Sequence, residues 1–435
     1  MPPGPTLIAG GGLAGLACSR ELRGPSILVE ASDRLGGLVR TDETEGFLFD
    51  WTGHWLHLRD PGIRALVEER WLKDNLLVVA RRARIYSESR WTDFPYQHNL
   101  RGLPPETIRD CLVGYVQATL GEEGRALRAR PLRNAAEFIE RHLGPGFARH
   151  FLTPYNEKLY CVPCEELSPE WGGRFIPRPS LDEVVRGALG LPQSAAGYNA
   201  VFVYPREGGI ESLSRALAKE ATSEVRLGTR LVALDLPRRR ARLSSGEEIA
   251  YRALVFTAPL SAVAPLVEAG AGPQPIVEAA RKLRSVSVTT VEIGADESGG
   301  ERFHWAYFPE PRYRFYRIGS PSEVNPRLAP RGARSFAVEF AHRGPVDAAA
   351  LVENAVAALC ELGLAERSGI RFARARTIPV AYVLFDAEHA AARDEVLAGL
   401  RKHDVVAAGR YGRWEYSSME DALLSGREAA RALSG

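Results

Sequence analysis

The chain has 435 residues, of which 45% are hydrophobic and 25% charged, and this composition predicts a soluble globular protein with a sizeable core. Its formal net charge is only +2, so no overall field favours nucleic acid or a membrane surface as a partner. The sequence lacks both a basic signal segment and a continuous apolar run of roughly 18 residues. We therefore expect a cytoplasmic protein without a membrane-spanning helix.

The first fifty residues predict alternating strands and a helix. Thr6 to Ala9 is a short apolar run typical of a buried strand, and Leu16 to Leu22 has a helical pattern. Ser26 to Glu30 predicts a second, parallel strand, and Gly46 to Asp50 predicts a further one. Alternation of this kind favours an α/β fold.

The middle of the chain differs from its two ends. Residues 62–149 are richer in helical patterns, including a helix from Asn134 to Leu143 that Gly144-Pro145 should stop. The remaining predicted strands are Val225–Leu227, Leu231–Asp235, Ala253–Thr257, Thr289–Gly294, Ser335–Phe340 and Asp404–Ala408, and the remaining helices are Ala350–Leu362 and Ser418–Leu433. Because no repeat or low-complexity linker separates these parts, we expect them to be interleaved.

Three glycines after the first strand form the pattern G-x-G-x-x-G. Gly10 permits a tight turn, Gly12 lets a pyrophosphate approach the backbone, and Gly15 lets helix and strand pack closely. Glu30 ends the next strand, where a carboxylate can accept a hydrogen bond from a ribose hydroxyl. The candidate dinucleotide-binding residues of this unit are Gly10, Gly12, Leu13, Ala14, Gly15, Glu30 and Ala31. The pattern alone does not separate FAD from NAD.

Two further segments indicate FAD by resemblance. Arg34-Leu35-Gly36-Gly37 resembles the second signature of the FAD-dependent amine oxidase group, whose glycines and arginine pack along the flavin's phosphates and ribityl chain. Gly409-Arg410, followed by a helix near Met419, resembles the segment whose helix N-terminus points at the flavin. The cofactor-binding residues implied by this resemblance are Arg34, Gly36, Gly37, Leu38, Gly53, His54, Leu231, Gly409, Arg410, Ser418 and Met419.

The resemblance implies a discontinuous domain arrangement. An FAD-binding Rossmann-type domain would comprise residues 1–75, 205–262 and 378–435. It would be interleaved with a substrate-binding α+β part, made of a mainly helical region at 76–204 and a sheet with a helix at 263–377.

Segments outside the nucleotide unit resemble UDP-galactopyranose mutases, which share this fold with protoporphyrinogen oxidases and amine oxidases. Gly53-His54-Trp55-Leu56-His57 is similar to the mutase loop that lies over the flavin, and the match places His57 nearest the flavin N5. A structural role is the alternative for both histidines. The segment from Tyr155 to Tyr160 resembles a mutase segment whose last aromatic ring, a tryptophan there, stacks near the uridine.

The resemblance also implies arginine and tyrosine contacts to a diphosphate. Arg174 and Arg178 lie where the mutases carry an arginine on a mobile loop, and scattered surface arginines are the alternative. The segment Tyr313 to Arg317 resembles a strand whose arginine binds the pyrophosphate; the match favours Arg317 over Arg314. On a strand, Tyr316 and Arg317 should point to opposite faces. Tyr382 matches a diphosphate-binding tyrosine, with ordinary packing as the alternative.

Two functions follow from these resemblances. The first is a pyranose/furanose isomerisation of a nucleotide-sugar, in which reduced flavin N5 attacks the anomeric carbon. The second is an FAD-dependent oxidase or dehydrogenase of the protoporphyrinogen or amine oxidase type, which takes hydride from a substrate in an aromatic cavity. The aromatic residues that could form its walls are Trp51, Trp55, Trp305, Tyr307 and Phe308.

The expected partners are few. We expect a small-molecule substrate, no nucleic acid and no metal, with a homo-oligomer as a further hypothesis. Cys161 and Cys164 have the spacing of half a zinc site, but without a second pair they are interpreted as structural thiols.

Overall fold

The computed structural model describes residues 4–172, 176–192 and 200–434. Its strands are β1 (Thr6–Ala9), β2 (Ser26–Val29), β3 (Thr41–Thr44), β4 (Phe47–Asp50), β5 (Leu76–Ala80), β6 (Ala83–Ser87), β7 (Arg90–Asp93), β8 (Val201–Pro205), β9 (Glu224–Arg226), β10 (Leu231–Asp235), β11 (Arg240–Leu243), β12 (Glu248–Ala250), β13 (Ala253–Phe256), β14 (Ser285–Asp296), β15 (Trp305–Tyr307), β16 (Arg317–Gly319), β17 (Ala333–His342), β18 (Ile370–Val383) and β19 (Val405–Ala407).

Helices connect and cover these strands. They are α1 (Leu13–Glu21), α2 (Pro61–Ala65), α3 (Pro105–Leu120), α4 (Glu122–Arg128), α5 (Ala135–Phe147), α6 (Thr153–Tyr160), α7 (Leu181–Leu189), α8 (Glu211–Ala218), α9 (Val263–Glu268), α10 (Gln274–Lys282), α11 (Pro321–Val324), α12 (Ala348–Glu361), α13 (His389–Arg401), α14 (Gly409–Gly412) and α15 (Met419–Ser434). Short 3₁₀ or π-helical segments occupy Leu66–Trp71, Tyr96–His98, Ala148–Leu152, Cys164–Glu166, Pro169–Gly172, Leu260–Ala262, Pro326–Leu328 and Arg367–Gly369.

A five-stranded parallel sheet, in the order β19-β13-β1-β2-β9, is built from three distant parts of the chain. All four residues of β1 are buried, because both faces of the sheet are covered. Ile8 packs into the core that includes α1 and α15, whereas Leu7 packs into the opposite core with α10 and α13. The α/β fold predicted from the alternating elements is confirmed.

A second, seven-stranded sheet has the order β18-β14-β17-β16-β15-β6-β7 and is antiparallel except where β15 pairs with β6. Its long strands β14 and β17 pair over ten residues, from Ser287 opposite His342 to Asp296 opposite Ala333. The predicted strands Thr289–Gly294 and Ser335–Phe340 lie inside these two strands, and the predicted helix Ala350–Leu362 is α12 shifted by one or two residues. These predictions are confirmed.

One stretch differs from the sequence-based expectations. Strands β5, β6 and β7 lie inside the region predicted as mainly helical, and β6 and β7 complete the edge of the seven-stranded sheet. The helix predicted to stop at Gly144-Pro145 does end there, because Gly144 leaves the helical conformation at φ 83° and a second helical segment starts at Pro145, within the range of α5. The predicted domain boundaries remain predictions, and β18 crosses the one at residue 378.

Candidate cofactor and substrate site

A cavity of about 990 Å³ opens where β1, β2, β13 and β19 end and reaches the seven-stranded sheet. Ligands of open α/β sheets bind in this place, beyond the carboxyl ends of the strands. The predicted site residues that line it are Gly10, Gly12, Leu13, Ala14, Glu30, Ala31, Gly36, Gly37, Leu38, Gly53, His54, His57, Leu231, Tyr316, Arg317, Tyr382, Gly409, Arg410, Ser418 and Met419. The cavity is therefore lined both by residues that follow the parallel strands and by residues of the seven-stranded sheet.

The two glycine motifs contact each other backbone to backbone at the mouth of α1. The Gly36 amide donates to the Gly11 carbonyl at 2.8 Å, and Gly12 and Gly36 form an isolated bridge. Gly12 caps α1 without a side chain, so the first N–H groups of this helix are not satisfied by a capping side chain. A Cβ added at Gly12 would approach only the Gly37 Cα, at 3.7 Å. This open, N–H-lined cradle fits a pyrophosphate.

Gly15 plays the packing role that the motif predicts. It does not line the cavity, and a Cβ there would lie 2.0 Å from the Gly10 carbonyl oxygen. Gly10 itself has φ +113°, a backbone conformation that favours glycine. The first glycine thus makes the turn, and the third lets helix and turn approach.

Glu30 stands at the cavity wall directly after β2. One carboxylate oxygen accepts from the Gly11 amide at 2.8 Å and the other from the Ser32 amide at 2.9 Å. The Arg40 guanidinium lies 3.8 Å away. These contacts fix the carboxylate in an orientation that fits recognition of a ribose hydroxyl.

Arg34 lies elsewhere than the resemblance implies. Its guanidinium pairs with Asp42 on β3 and, at 3.3 Å, with Glu211 on α8, and it does not line the cavity. Its guanidinium is therefore engaged by one carboxylate that is near in sequence and one that is distant. The glycines that follow it do reach the cavity.

The N-terminus of α15 also faces the cavity. Ser418 and Asp421 cap each other, the Ser418 amide donating to the Asp421 carboxylate at 2.8 Å and the Asp421 amide to the Ser418 hydroxyl at 3.2 Å. Gly409 has φ +77°, and a Cβ there would meet the Ala14 Cβ at 2.7 Å. The C-terminal segment thereby packs closely against the first helix.

His54 and His57 lie in an irregular loop on the cavity wall. Burial lowers the pKa of His54 to about 4, helped by the nearby cations Arg410 and Arg317. Burial likewise lowers the pKa of His57 to about 4. The His57 Nδ1 atom is buried and lacks a hydrogen-bond partner among the described residues. Both imidazoles are therefore neutral near pH 7.

Arg317 is held by a carboxylate that the sequence analysis missed. Glu339 lies opposite Arg317 in the β16–β17 pair and accepts from its Nε at 3.0 Å and from its Nη2 at 2.7 Å. Burial alone would lower the pKa of Arg317, but Glu339 holds that pKa well above its ordinary value. A glutamate within the apolar run Phe336 to Phe340 is the signal that could have pointed to it.

The expectation that Tyr316 and Arg317 face opposite sides is wrong. Strand β16 begins at Arg317, so Tyr316 stands before the strand and escapes its alternation. The Tyr316 hydroxyl donates to the same Glu339 carboxylate that binds Arg317. Arg314 is exposed and does not line the cavity, in line with the preference for Arg317.

Arg410 differs from Arg317 in its partners. Its Nη1 donates to the Ser417 carbonyl at 3.0 Å and its Nη2 to the Ala381 carbonyl at 3.3 Å. Its guanidinium lies 4.6 Å from the Tyr416 ring centroid, and its buried Nε has no hydrogen-bond partner in the described part of the chain. Among the described residues, no carboxylate forms an ion pair with it. Arg410 thus keeps its positive charge for the cavity.

Tyr155 and Tyr160 stand one layer behind the cavity rather than on its wall. Tyr155 packs edge-on against Tyr307 with ring centroids 5.5 Å apart, and Tyr160 packs against Tyr382 at 6.3 Å. Tyr307 and Tyr382 line the cavity in their place. Helix α6 therefore supports the aromatic wall from behind.

Arg178, one of the two arginines predicted on a mobile loop, is not brought to the cavity. Arg178 is exposed, with its guanidinium 5.0 Å from the Phe138 ring centroid, although its neighbour Pro177 does line the cavity. Arg174 lies outside the described residues. A diphosphate role for either side chain stays a prediction.

A glycine cradle at the end of a parallel sheet, with a carboxylate after the second strand, defines a dinucleotide-binding protein. The family model for flavin-containing amine oxidoreductases matches residues 13–434, and the chain belongs to this family. Membership implies FAD as the dinucleotide, and the cradle described above fits it.

Two solved structures, which carry different names, resemble the whole chain. A crystal structure of reduced UDP-galactopyranose mutase superposes with a TM-score of 0.91 and 23% identity, covering 100% of this chain and 94% of the other. A putative protoporphyrinogen oxidase from Exiguobacterium sp. 255-15 superposes at 0.71 with 19% identity, covering 100% and 99%. Both likenesses confirm the fold.

By sequence, the chain is similar to coproporphyrinogen III oxidase of Mycobacterium tuberculosis, with 34% identity over 115 residues. That match covers 25% of this chain and 24% of the relative, so the chain spans about a quarter of the length of the curated relative it matches.

Every helix among the described residues is too short or too polar to cross a membrane. The described residues also contain no group of three or more histidine, cysteine, aspartate or glutamate side chains placed to hold a metal ion.

Proposed function

We propose that the protein is a flavoenzyme that isomerises the sugar ring of a nucleotide-sugar, with its FAD in the reduced state. The observation that carries this proposal is the basic, tyrosine-rich end of the cavity, where Arg317 and Arg410 lie among Tyr307, Tyr316 and Tyr382. Such groups suit an anionic, hydroxyl-rich ligand. The likeness of the whole fold to a reduced UDP-galactopyranose mutase supports the same assignment.

The cofactor would be held by groups already fixed in place. The N–H groups at the start of α1 would bind the pyrophosphate, and Glu30 would accept a ribose hydroxyl. The capped N-terminus of α15 would face the ring end of the flavin. When bound and reduced, flavin supplies a nucleophilic nitrogen suited to attack on an anomeric carbon.

The side chains around the substrate would stabilise a leaving diphosphate. Burial raises the pKa of Tyr307, Tyr316 and Tyr382, so these phenols stay neutral donors. No described carboxylate forms an ion pair with Arg410, whereas the Nε and Nη2 groups of Arg317 already bind Glu339. Arg410 is therefore the first candidate to hold the diphosphate, with Arg317 completing the contact.

Two neutral histidines line the part of the cavity in which the sugar would react. His54 and His57 can donate or accept a hydrogen bond with a sugar hydroxyl without adding charge beside the flavin. The unpartnered Nδ1 of His57 has hydrogen-bonding capacity that a bound sugar or cofactor would satisfy.

One observation favours the second candidate, an oxidase or dehydrogenase. Glu339 neutralises Arg317, and much of the remaining wall is apolar, including Leu266, Val288 and Val380. A cavity of this kind also suits hydride transfer from a largely apolar substrate. The partial sequence likeness to a coproporphyrinogen III oxidase points the same way.

The two functions are separated by the redox state that each requires. The purified FAD-loaded protein, reduced with dithionite without oxygen, would be incubated with UDP-, dTDP- and GDP-sugars, and furanose products resolved by chromatography. We expect conversion only in the reduced state. Oxygen-dependent peroxide formation with a porphyrinogen or an amine, and no furanose from any sugar, would overturn the proposal.

Matched variants connect this assay to the cavity. Arg410→Lys should lower turnover by about tenfold or more, because a bidentate planar donor becomes a point charge. Arg314→Ala removes an exposed arginine three residues from Arg317 and should leave turnover unchanged. Equal effects of the two substitutions would count against Arg410 as a substrate contact.

A further inference from the structure

Besides Arg317 and Arg410, the cavity wall carries Arg59, Arg81 and Arg230, and Arg81 lies apart from the glycine cradle. It stands in the connection between β5 and β6, where its backbone N–H donates to the Ala200 carbonyl at 2.9 Å. Its guanidinium lies 5.1 Å from the Phe94 ring centroid, and the Phe94 ring is 5.1 Å from that of Tyr307. Arg81 therefore belongs to the aromatic wall on the side of the seven-stranded sheet.

The charge of Arg81 has no counter-charge in the described part of the chain. Each carboxylate on the cavity wall is already engaged: Glu339 by Arg317, Glu30 by the Gly11 and Ser32 amides, and Asp421 by Arg59 and Ser418. Burial lowers the pKa of Arg81, and Tyr307 nearby partly offsets this.

The Arg81 side chain is half-buried on the cavity wall, and its contact with the Phe94 ring replaces only part of the hydration that its guanidinium loses there. Arg410 meets the same problem by donating to two carbonyls, and Arg317 by pairing with Glu339. Arg81 has neither solution. The missing partner is therefore an anion that arrives with a ligand.

We propose that Arg81 binds a carboxylate on the sugar ring of the substrate, so that the enzyme selects a nucleotide-linked uronate over the neutral sugar. This inference rests on the proposed function. Arg410 and Arg317 would bind the diphosphate, so Arg81 remains available for a second anionic group. A planar guanidinium beside Phe94 and Tyr307 matches a planar carboxylate in a bidentate contact.

Binding to the oxidised, FAD-loaded protein tests this without turnover. Calorimetric titration would give dissociation constants for UDP, UDP-galactose and UDP-galacturonate. We expect the galacturonate to bind about ten- to a hundredfold more tightly than the galactose, as a buried charged hydrogen-bonded contact provides. Arg81→Gln should abolish that preference while UDP binds as before, and Arg81→Lys should keep part of it.

Arg82→Gln is the matched control, because the neighbouring Arg82 is 51% exposed and paired with Glu323; it should change none of the three constants. Equal affinity for the two sugars in the unmodified protein would overturn the inference and leave the proposed function standing. A loss of UDP affinity in Arg81→Gln as large as the loss for the galacturonate would also overturn it, since Arg81 would then hold the diphosphate. Failure of all three nucleotides to bind would overturn the proposed function, and this inference with it.

Discussion

Charges in the cavity are set by neighbours that are distant in sequence. Glu339 cancels Arg317 across a strand pair, while Arg410 and Arg81 keep their charges. Arginines and neutral phenols thus surround the two neutral histidines. This part of the cavity therefore favours an anionic ligand, and it places no charged acid or base beside the flavin. This arrangement suits chemistry in which the cofactor supplies the reactive atom and the protein supplies orientation.

The buried histidines predict a pH dependence of stability. The pKa of His54 is about 4 in the folded protein and 6.5 as its ordinary value, so the unfolded chain takes up a proton at a higher pH than the folded one. Stability from this residue is therefore fully present above about pH 6.5 and is lost as the pH falls towards 4. The loss is at most roughly 3 kcal/mol.

Urea unfolding of the FAD-loaded protein and of His54→Asn between pH 8 and pH 4.5 measures this effect. The free energy of unfolding of the unmodified protein should fall relative to that of the variant below pH 6.5, while the difference stays constant above it. Parallel curves over the whole range would show that His54 is readily protonated in the folded state.

Alanine substitutions of two glycines in the β1–α1 unit should have different effects. Gly12→Ala places its Cβ in open space beside Gly37, so we expect a folded protein that has lost FAD because the pyrophosphate can no longer approach. Gly15→Ala drives its Cβ to 2.0 Å from the Gly10 carbonyl oxygen and should destabilise the β1–α1 unit itself.

Flavin absorbance after purification and the midpoint of thermal unfolding of the apoprotein distinguish the two effects. Gly12→Ala should lose flavin with little change in the apoprotein midpoint, and Gly15→Ala should lower that midpoint by several degrees. Gly299→Ala, at a position with nothing within 4 Å of the added Cβ, serves as the control. A Gly12→Ala protein that keeps its flavin would contradict the assignment of the cradle.

At the scale of the whole molecule, the parallel sheet depends on the end of the chain. Strand β19 pairs with β13, and α15 packs so closely on α1 that a Cβ at Gly426 would lie 2.1 Å from the Ala14 carbonyl oxygen. Leu423 and Ala430 are fully buried in the same core. The cofactor cradle therefore forms only when both ends of the chain meet.

Truncation after Arg401 should prevent folding rather than merely remove a helix. It exposes the apolar face of α1 and an edge of the sheet, and a net stability of about 5–15 kcal/mol is too small to absorb that loss. We expect insoluble or flavin-free protein by gel filtration and absorbance. Truncation after Leu433 is the control and should yield a soluble yellow protein; a soluble, flavin-bound chain ending at Arg401 would contradict this dependence.

The nucleotide-binding unit was predictable from local sequence. Its turn, its helix N-terminus and the acidic residue after β2 are close in the chain, and their spacing follows from backbone geometry. The strands β14 and β17 and the helix α12 were also predictable, because apolar periodicity reports which face is buried.

Which side chains reach the cavity depends on contacts between elements that are far apart in the chain. Arg34 turned to Asp42 and Glu211, Tyr155 and Tyr160 moved to a supporting layer, and Tyr316 escaped strand alternation because β16 starts one residue later. The pairing of Arg317 with Glu339 depends on the register of β16 against β17, and Arg81 reaches the cavity from the connection between β5 and β6. Contacts of this kind depend on how distant elements pack, and local sequence patterns do not specify that packing.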